Sequence, residues 1–302
     1  MTSAWSADSD VADAPAVVQP AVASDSRALR FLIVGAVIAA YIVLGIVLRL
    51  NTYEYQLLGV PILVAFQLGI QRQPFRALWV RSAPPLRLDA RFVVLWVVVG
   101  LVPAYDAVSA LGQRDAVSAA FYATAIAGAF GLAYALRAMR VQTVWQLVLC
   151  VLTVSAIGIL PSTLSLLLPH LIHLHIASAN AAAGATTAQR LRGGAGAFLL
   201  LPVGFMVEEV FFRGALDTYL HRGERGTGWL SAIYVSALWG LWHLPGQSLA
   251  FGHLLSTVVG LLVAQIAIGV PLSLWWRKSG NLTVPDTAHA LLEVARAIIG
   301  GG

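Results

Sequence analysis

The sequence predicts an all-α, polytopic transmembrane helix bundle of eight or nine spans. Three observations carry this. Of 302 residues, 59% are hydrophobic and only 11% are charged, against about 25% charged in soluble domains. The mean hydropathy is +0.79. From Arg27 onward, apolar stretches near the length that crosses a bilayer, about 20 residues, alternate with short polar loops. A surface with so few charges needs lipid as its solvent.

The elements follow in order. Residues 1–26 are rich in Ala, Ser, Asp, Val and Pro, carry Asp8, Asp10, Asp13 and Asp25, and sustain no apolar pattern. They read as a disordered tail, without the basic start of a signal peptide. The spans are expected at 28–50, 54–71, 92–110, 116–137, 141–169, 195–221, 228–249, 252–276 and 281–300. The choice between eight and nine turns on 54–71 and 281–300. The stretch 174–197, rich in Ala, Gly, Thr, Ser and Asn, reads as a loop. It separates N-terminal helices (27–193), nearly free of charge within the spans, from a last third (194–302) dense in ionisable groups. No transporter-type internal repeat is visible.

Charge orients the bundle. The net charge is +5 and Lys278 is the only lysine. Arg27 and Arg30 precede the first span; Arg72, Arg76, Arg81, Arg87 and Arg91 follow the second; Arg137 and Arg140 follow the fourth; Arg222 and Arg225 the sixth; Arg277 and Lys278 the eighth. These loops alternate and share one side. The positive-inside rule predicts a cytoplasmic N-terminus. The Arg- and Ala-rich, Lys-poor composition points to a bacterial cytoplasmic membrane. Basic residues are not clustered with interleaved aromatics, so no nucleic-acid partner is expected. Membrane lipid is the expected surroundings. With Cys150 alone, the chain forms no internal disulfide and no cysteine metal site.

Seven of the ionisable residues within the apolar helices after residue 195 stand out: Glu208, Glu209, Arg213, His243, His289, Glu293 and Arg296. A charge at mid-bilayer costs about 2.5–3.5 kcal/mol on insertion scales, so such groups face each other or a wet cavity and mark function. On an α-helix Glu209 and Arg213 share a face and can neutralise each other, while Glu208 is rotated about 100° from Glu209. One carboxylate is then structural and the other is free for acid–base work. Alternatively, both only bind the arginine. His243 lies near the end of an aromatic-rich helix before Pro245, as a packing or a catalytic histidine. His289 and Glu293 are again four apart, suited to a ligand pair, a base with its orienter, or a self-satisfied buried pair. The set fits water activation. It lacks HExxH, and although Ser231 and Ser236 lie near His243 there is no GxSxG elbow. His170, His173 and His175 form a further cluster that suits either metal binding at an interface or a polar helix end.

These segments resemble the CAAX protease and bacteriocin-processing family (CPBP, or Abi), the membrane proteases related to the Rce1 prenyl endopeptidase. Its EExxxR motif is met by Glu208, Glu209 and Arg213, followed by Gly214. Its aromatic residue shortly before a histidine, usually Phe, is Trp239 before His243. Its G-N-L-x-x-P-x-x-x-H run is met by Gly280, Asn281, Leu282, Pro285 and His289. The family's asparagine four residues after that histidine is replaced by Glu293. The resemblance implies an intramembrane endopeptidase acting on a peptide or protein near the membrane. Glu208 is then the water-activating base, His243 and His289 hold water or a metal, and Arg213 is structural. If a divalent metal such as zinc is bound, Glu208, His243 and His289 are the implied ligands. The family asparagine donates to a developing oxyanion, which an ionised Glu293 cannot do. A non-catalytic member serving bacteriocin self-immunity or peptide binding is therefore a second reading. A transporter or proton relay is a third.

Overall fold

The computed structural model describes residues 26–167, 186–199, 205–222, 227–247 and 254–300. The expected tail up to Asp25, the cluster His170, His173 and His175, and residues 174–185 of the expected loop lie outside them. Ten helices make up the described chain: α1 Arg27–Val47, α2 Thr52–Ala65 (running on through a π-turn, Phe66–Gln71), α3 Ala90–Gly112, α4 Ala116–Arg137 and α5 Val141–Leu167, then α6 Thr187–Leu199, α7 Phe205–His221, α8 Trp229–Trp242, α9 Leu254–Ser279 and α10 Thr283–Gly300. Among the described residues, six helices are long and apolar enough to cross a membrane: α1, α2 with its π-turn, α3, α4, α5 and α9. The protein is a multi-pass, all-α membrane protein.

Local sequence sets the helix starts. Each of the first four helices follows a side chain that accepts from an otherwise orphaned backbone N–H: Ser26 from Leu29, Asn51 from Glu54, Asp89 from Phe92 and Asp115 from Ser118. Asn51 and Glu54 close a reciprocal capping box. Arg49, Arg72 and Arg114 end helical segments with positive φ, the left-handed step that stops a helix. The α3 and α5 surfaces expose Val94, Val97, Leu101, Trp145, Val148 and Leu152, an apolar face for lipid.

Three expectations are corrected. Within the stretch expected as a loop at 174–197, Thr187–Leu199 forms α6, while of the span expected at 195–221 α7 is described from Phe205 on. Part of the 174–197 stretch is therefore helical rather than loop. The helix expected at 228–249 is only Trp229–Trp242. Its 14 residues reach about 21 Å at about 1.5 Å each, well short of a hydrocarbon core of roughly 30 Å. Finally, α7 is π-wound over Phe205–Asp217 and α-helical only over Thr218–His221, so the 3.6-residue period does not govern its faces. Wide turns of this kind concentrate at functional sites.

Helix α7 is the hub. It packs against α2, α4, α8, α9 and α10 and against the 3₁₀ turn Phe75–Leu78. Every residue from Glu209 to Asp217 is buried. Lipid gives little hydrophobic drive for one helix to leave it for another, so close contact depends on small residues and hydrogen bonds. Gly214 supplies the closest approach: a Cβ there would stand 2.6 Å from the Leu78 carbonyl oxygen. Gly240 does the same between α8 and α9, 2.9 Å from the Leu261 carbonyl oxygen.

Polar ties fix the C-terminal part of α7. Asp217 forms a buried ion pair with Arg277 of α9. The same guanidinium donates to the Gly228 carbonyl and to Ser231 Oγ of α8. Trp276 Nε1 donates to Thr218 Oγ1 at 3.0 Å, and Gln71 Nε2 to the Ala215 carbonyl. The turn into α10 needs Gly280, at φ 63°. It is held by two backbone bonds, Arg81 N–H to the Gly280 carbonyl and Leu282 N–H to the Trp79 carbonyl, each 2.9 Å. This clamp between the loop after α2 and the α9–α10 turn sets the register of α10.

Candidate active site

The site lies where α7, α8 and α10 meet. Glu209, wholly buried on α7, faces two partners. Its Oε2 stands 3.6 Å from Arg213 Nε, and its Oε1 lies 3.0 Å from His289 Nδ1 on α10. A carboxylate can only accept there, so Nδ1 carries the proton and donates. Arg213 is also wholly buried, with its guanidinium carbon 4.2 Å from the centroid of the Trp239 ring. Among the described residues its nitrogens find no hydrogen-bond acceptor. Charge and the ring face hold it.

Glu208 turns away from this pair. Its Oε2 accepts from Trp239 Nε1 at 2.8 Å. The π-winding puts Glu208 one wide turn from Arg213, yet the arginine's ion pair is with Glu209. The two adjacent carboxylates thus have different company: one a cation and a histidine, the other an indole N–H.

His243 closes the end of α8, its Nδ1 2.8 Å from the Trp239 carbonyl. Since a carbonyl only accepts, Nδ1 holds the proton and Nε2 keeps a free lone pair. The Tyr55 hydroxyl donates to the Trp242 carbonyl at 3.0 Å and its ring stacks on Trp242 at 5.3 Å, fixing this helix end. Both histidines lie edge-to-face against Trp239, His243 at 5.7 Å and His289 at 5.2 Å between centroids. Trp239 therefore touches Glu208, Arg213, His243 and His289. Both imidazoles have Nδ1 engaged, which orients the ring and leaves Nε2 as its basic atom.

Glu293 stands at the rim. Its Oε1 accepts from Arg296 at 2.7 Å and lies 3.9 Å from His289 Nε2, with the side chain 45% exposed. It carries an ion pair and offers no N–H to an oxyanion. Glu208, Arg213, His243 and His289 are thus gathered around Trp239, Glu209 joins through Arg213 and His289, and Glu293 and Arg296 sit outside. The suggested metal ligands Glu208, His243 and His289 are a different matter. Among the described residues no three His, Cys, Asp or Glu side chains stand close enough together to hold a metal ion. As it stands, this donor set does not form a metal cradle.

Sequence reasoning missed two carboxylates. Asp217 lies in an apolar run like the seven residues singled out, and its partner Arg277 ends α9; the match of a lone acid with a helix-end arginine was the available signal. Asp286, one turn before His289, is buried within electrostatic reach of Glu208 and Glu209. Its Oδ2 has no hydrogen-bond partner among the described residues. Its spacing of three from His289 was the signal there.

Comparison with known proteins gives one match. Residues 193–295 fit the family described as type II CAAX prenyl endopeptidase Rce1-like. No curated protein matches the chain, and no solved structure does. The matched segment holds α7, α8, α9 and most of α10, with every residue gathered around Trp239. The likeness to the Rce1-like family of CAAX endopeptidases thus lies in residues 193–295, the part of the chain that holds the site.

Proposed function

We propose that the protein is a membrane-embedded endopeptidase that hydrolyses a peptide bond with a water activated by Glu208. The observation that carries this is the division between the two glutamates: Glu209 is neutralised by Arg213 and His289, whereas Glu208 is held by one indole N–H. A water held between His243 and His289 donates one hydrogen bond to an Nε2 lone pair and gives its other proton to Glu208. The resulting hydroxide forms the bond to the scissile carbonyl carbon. When the tetrahedral intermediate collapses, the C–N bond breaks and Glu208 returns its proton to the leaving amine. Proton handling of this type contributes about 10²–10⁴-fold in rate. The family's name suggests a prenylated C-terminal CAAX peptide as the probe substrate. The expected setting is a bacterial cytoplasmic membrane with the N-terminus in the cytoplasm.

Glu293 favours a second reading, a non-catalytic member that binds a peptide, because an oxyanion donor is replaced by an acceptor paired with Arg296. The two readings separate in one experiment with purified protein in proteoliposomes, a farnesylated CAAX peptide and the double variant His243→Ala/His289→Ala. Cleavage by wild type and none by the variant supports the endopeptidase. Peptide binding by both proteins with cleavage by neither supports the binder.

A further inference from the structure

At the arginine-rich end of the bundle, away from the catalytic groups, is a cavity of about 760 Å³. Its walls are the loop before α3, the α4–α5 turn and the α9–α10 turn. Six cations line it, Arg81, Arg87, Arg137, Arg140, Arg277 and Lys278, and no Asp or Glu does. Asp89 answers Arg137 and Asp217 answers Arg277. Arg81, Arg87, Arg140 and Lys278 form no ion pair with a carboxylate among the described residues, although Asp217, already paired with Arg277, acts on Arg81 from a distance. The positive-inside rule explains why arginines lie on one side. It does not explain why four converge on one concavity, where their mutual repulsion opposes folding unless an anion answers it.

The position of the cavity identifies the anion. Helix α3 starts at Ala90, α4 ends at Arg137, α5 starts at Val141 and α9 ends at Ser279, so the basin lies where four candidate spans leave the hydrocarbon. Two apolar side chains stand beside its cations: Leu88 next to Arg87, 67% exposed, and Val141 next to Arg140, 78% exposed. Cations at headgroup depth with exposed apolar shoulders fit an amphiphile. We propose that this basin binds the phosphate of an anionic phospholipid headgroup, with the acyl chains lying along α3 and α5. Lys278 is already steered, its Nζ 4.8 Å from the Trp275 ring.

The test uses the full chain, purified in detergent and examined by native mass spectrometry with phosphatidylglycerol or phosphatidylcholine added. Wild type should retain phosphatidylglycerol in preference. The variant Arg87→Gln/Arg140→Gln/Lys278→Gln should retain it about a hundredfold less tightly, at a factor of about five per cation removed. Arg49→Gln/Arg114→Gln, at the other end of the bundle, should retain it like wild type. Raised salt should strip the lipid from wild type by screening, a readout that needs no variant. Inorganic phosphate, added in place of competing lipid, should fail to displace it; full displacement would mean a free-phosphate site and overturn the lipid assignment. Equal retention of the two lipids by wild type, or undiminished retention by the triple variant, would overturn the site itself.

Discussion

The indole Nε1–H of Trp239 donates to Glu208 Oε2 at 2.8 Å, a bond between side chains on two helices. The resembling family usually has Phe at this position, which has no N–H to give. In this chain the aromatic residue therefore does more than fill space: it holds one oxygen of Glu208, and the other has no hydrogen-bond partner among the described residues. Trp239→Phe keeps a ring for Arg213 and the two histidines and removes the donor. A hydrogen bond to a charged group contributes about 1.5–3 kcal/mol, so kcat should fall at least about tenfold with KM little changed. Steady-state kinetics on the prenylated peptide check this; an equal rise in KM with unchanged kcat would show that Trp239 serves binding instead.

Gly214 should tolerate no side chain. A Cβ there meets backbone, the Leu78 carbonyl at 2.6 Å, which cannot rotate away. Gly214→Ala should lower stability by about 1–3 kcal/mol, the usual cost of overpacking. Gly260→Ala in α9 meets nothing within 4 Å and should be neutral or slightly stabilising. Thermal unfolding of the two variants in detergent makes the comparison.

Arg277→Met should be more damaging than its place at a helix end suggests. It leaves Asp217, wholly buried, without its counter-charge. Breaking a buried pair from one side costs about 3–5 kcal/mol. Adding Asp217→Asn should recover part of the loss, which a double-mutant cycle on unfolding midpoints measures.

The helix cap at Asp89 gives a pH signature. The Arg137 guanidinium and then the Phe92 N–H hold its carboxyl down at about 2, below the ordinary 3.8. A lowered folded-state pKa stabilises above the unfolded value and loses that contribution as pH falls through the folded one. Wild type should therefore melt above Asp89→Asn at neutral pH, and the gap should close between about pH 4 and about pH 2. A gap that persists at the lowest pH would assign the effect to packing.

Much of this was legible in sequence because membrane spans advertise themselves. Apolar runs bounded by arginine located α2, α3 and α4 to within a few residues. The site was legible as an inventory because Glu208, Glu209 and Arg213 have no place in an apolar helix without a purpose. Its geometry was not. The stop of α8 at Trp242 is hidden because Leu244 continues the apolar pattern past His243. The π-winding of α7 is a hydrogen-bond register that composition does not record. The Ala- and Gly-rich run Thr187–Leu199 reads as loop since its helix is not apolar enough to announce a span. The Trp239–Glu208 bond joins residues 31 apart in sequence, and no spacing rule reaches that far.

The central claim is that the two adjacent glutamates have separate roles, Glu208 in the chemistry and Glu209 in the scaffold. The direct test is cleavage of the farnesylated peptide by Glu208→Gln in proteoliposomes, with its unfolding midpoint measured alongside. Glu208 is partly exposed and, among the described residues, bonded only to an indole, so the amide should preserve the fold while activity falls by about 10²–10⁴-fold. Glu208→Gln protein that is folded and cleaves at the wild-type rate would contradict the account.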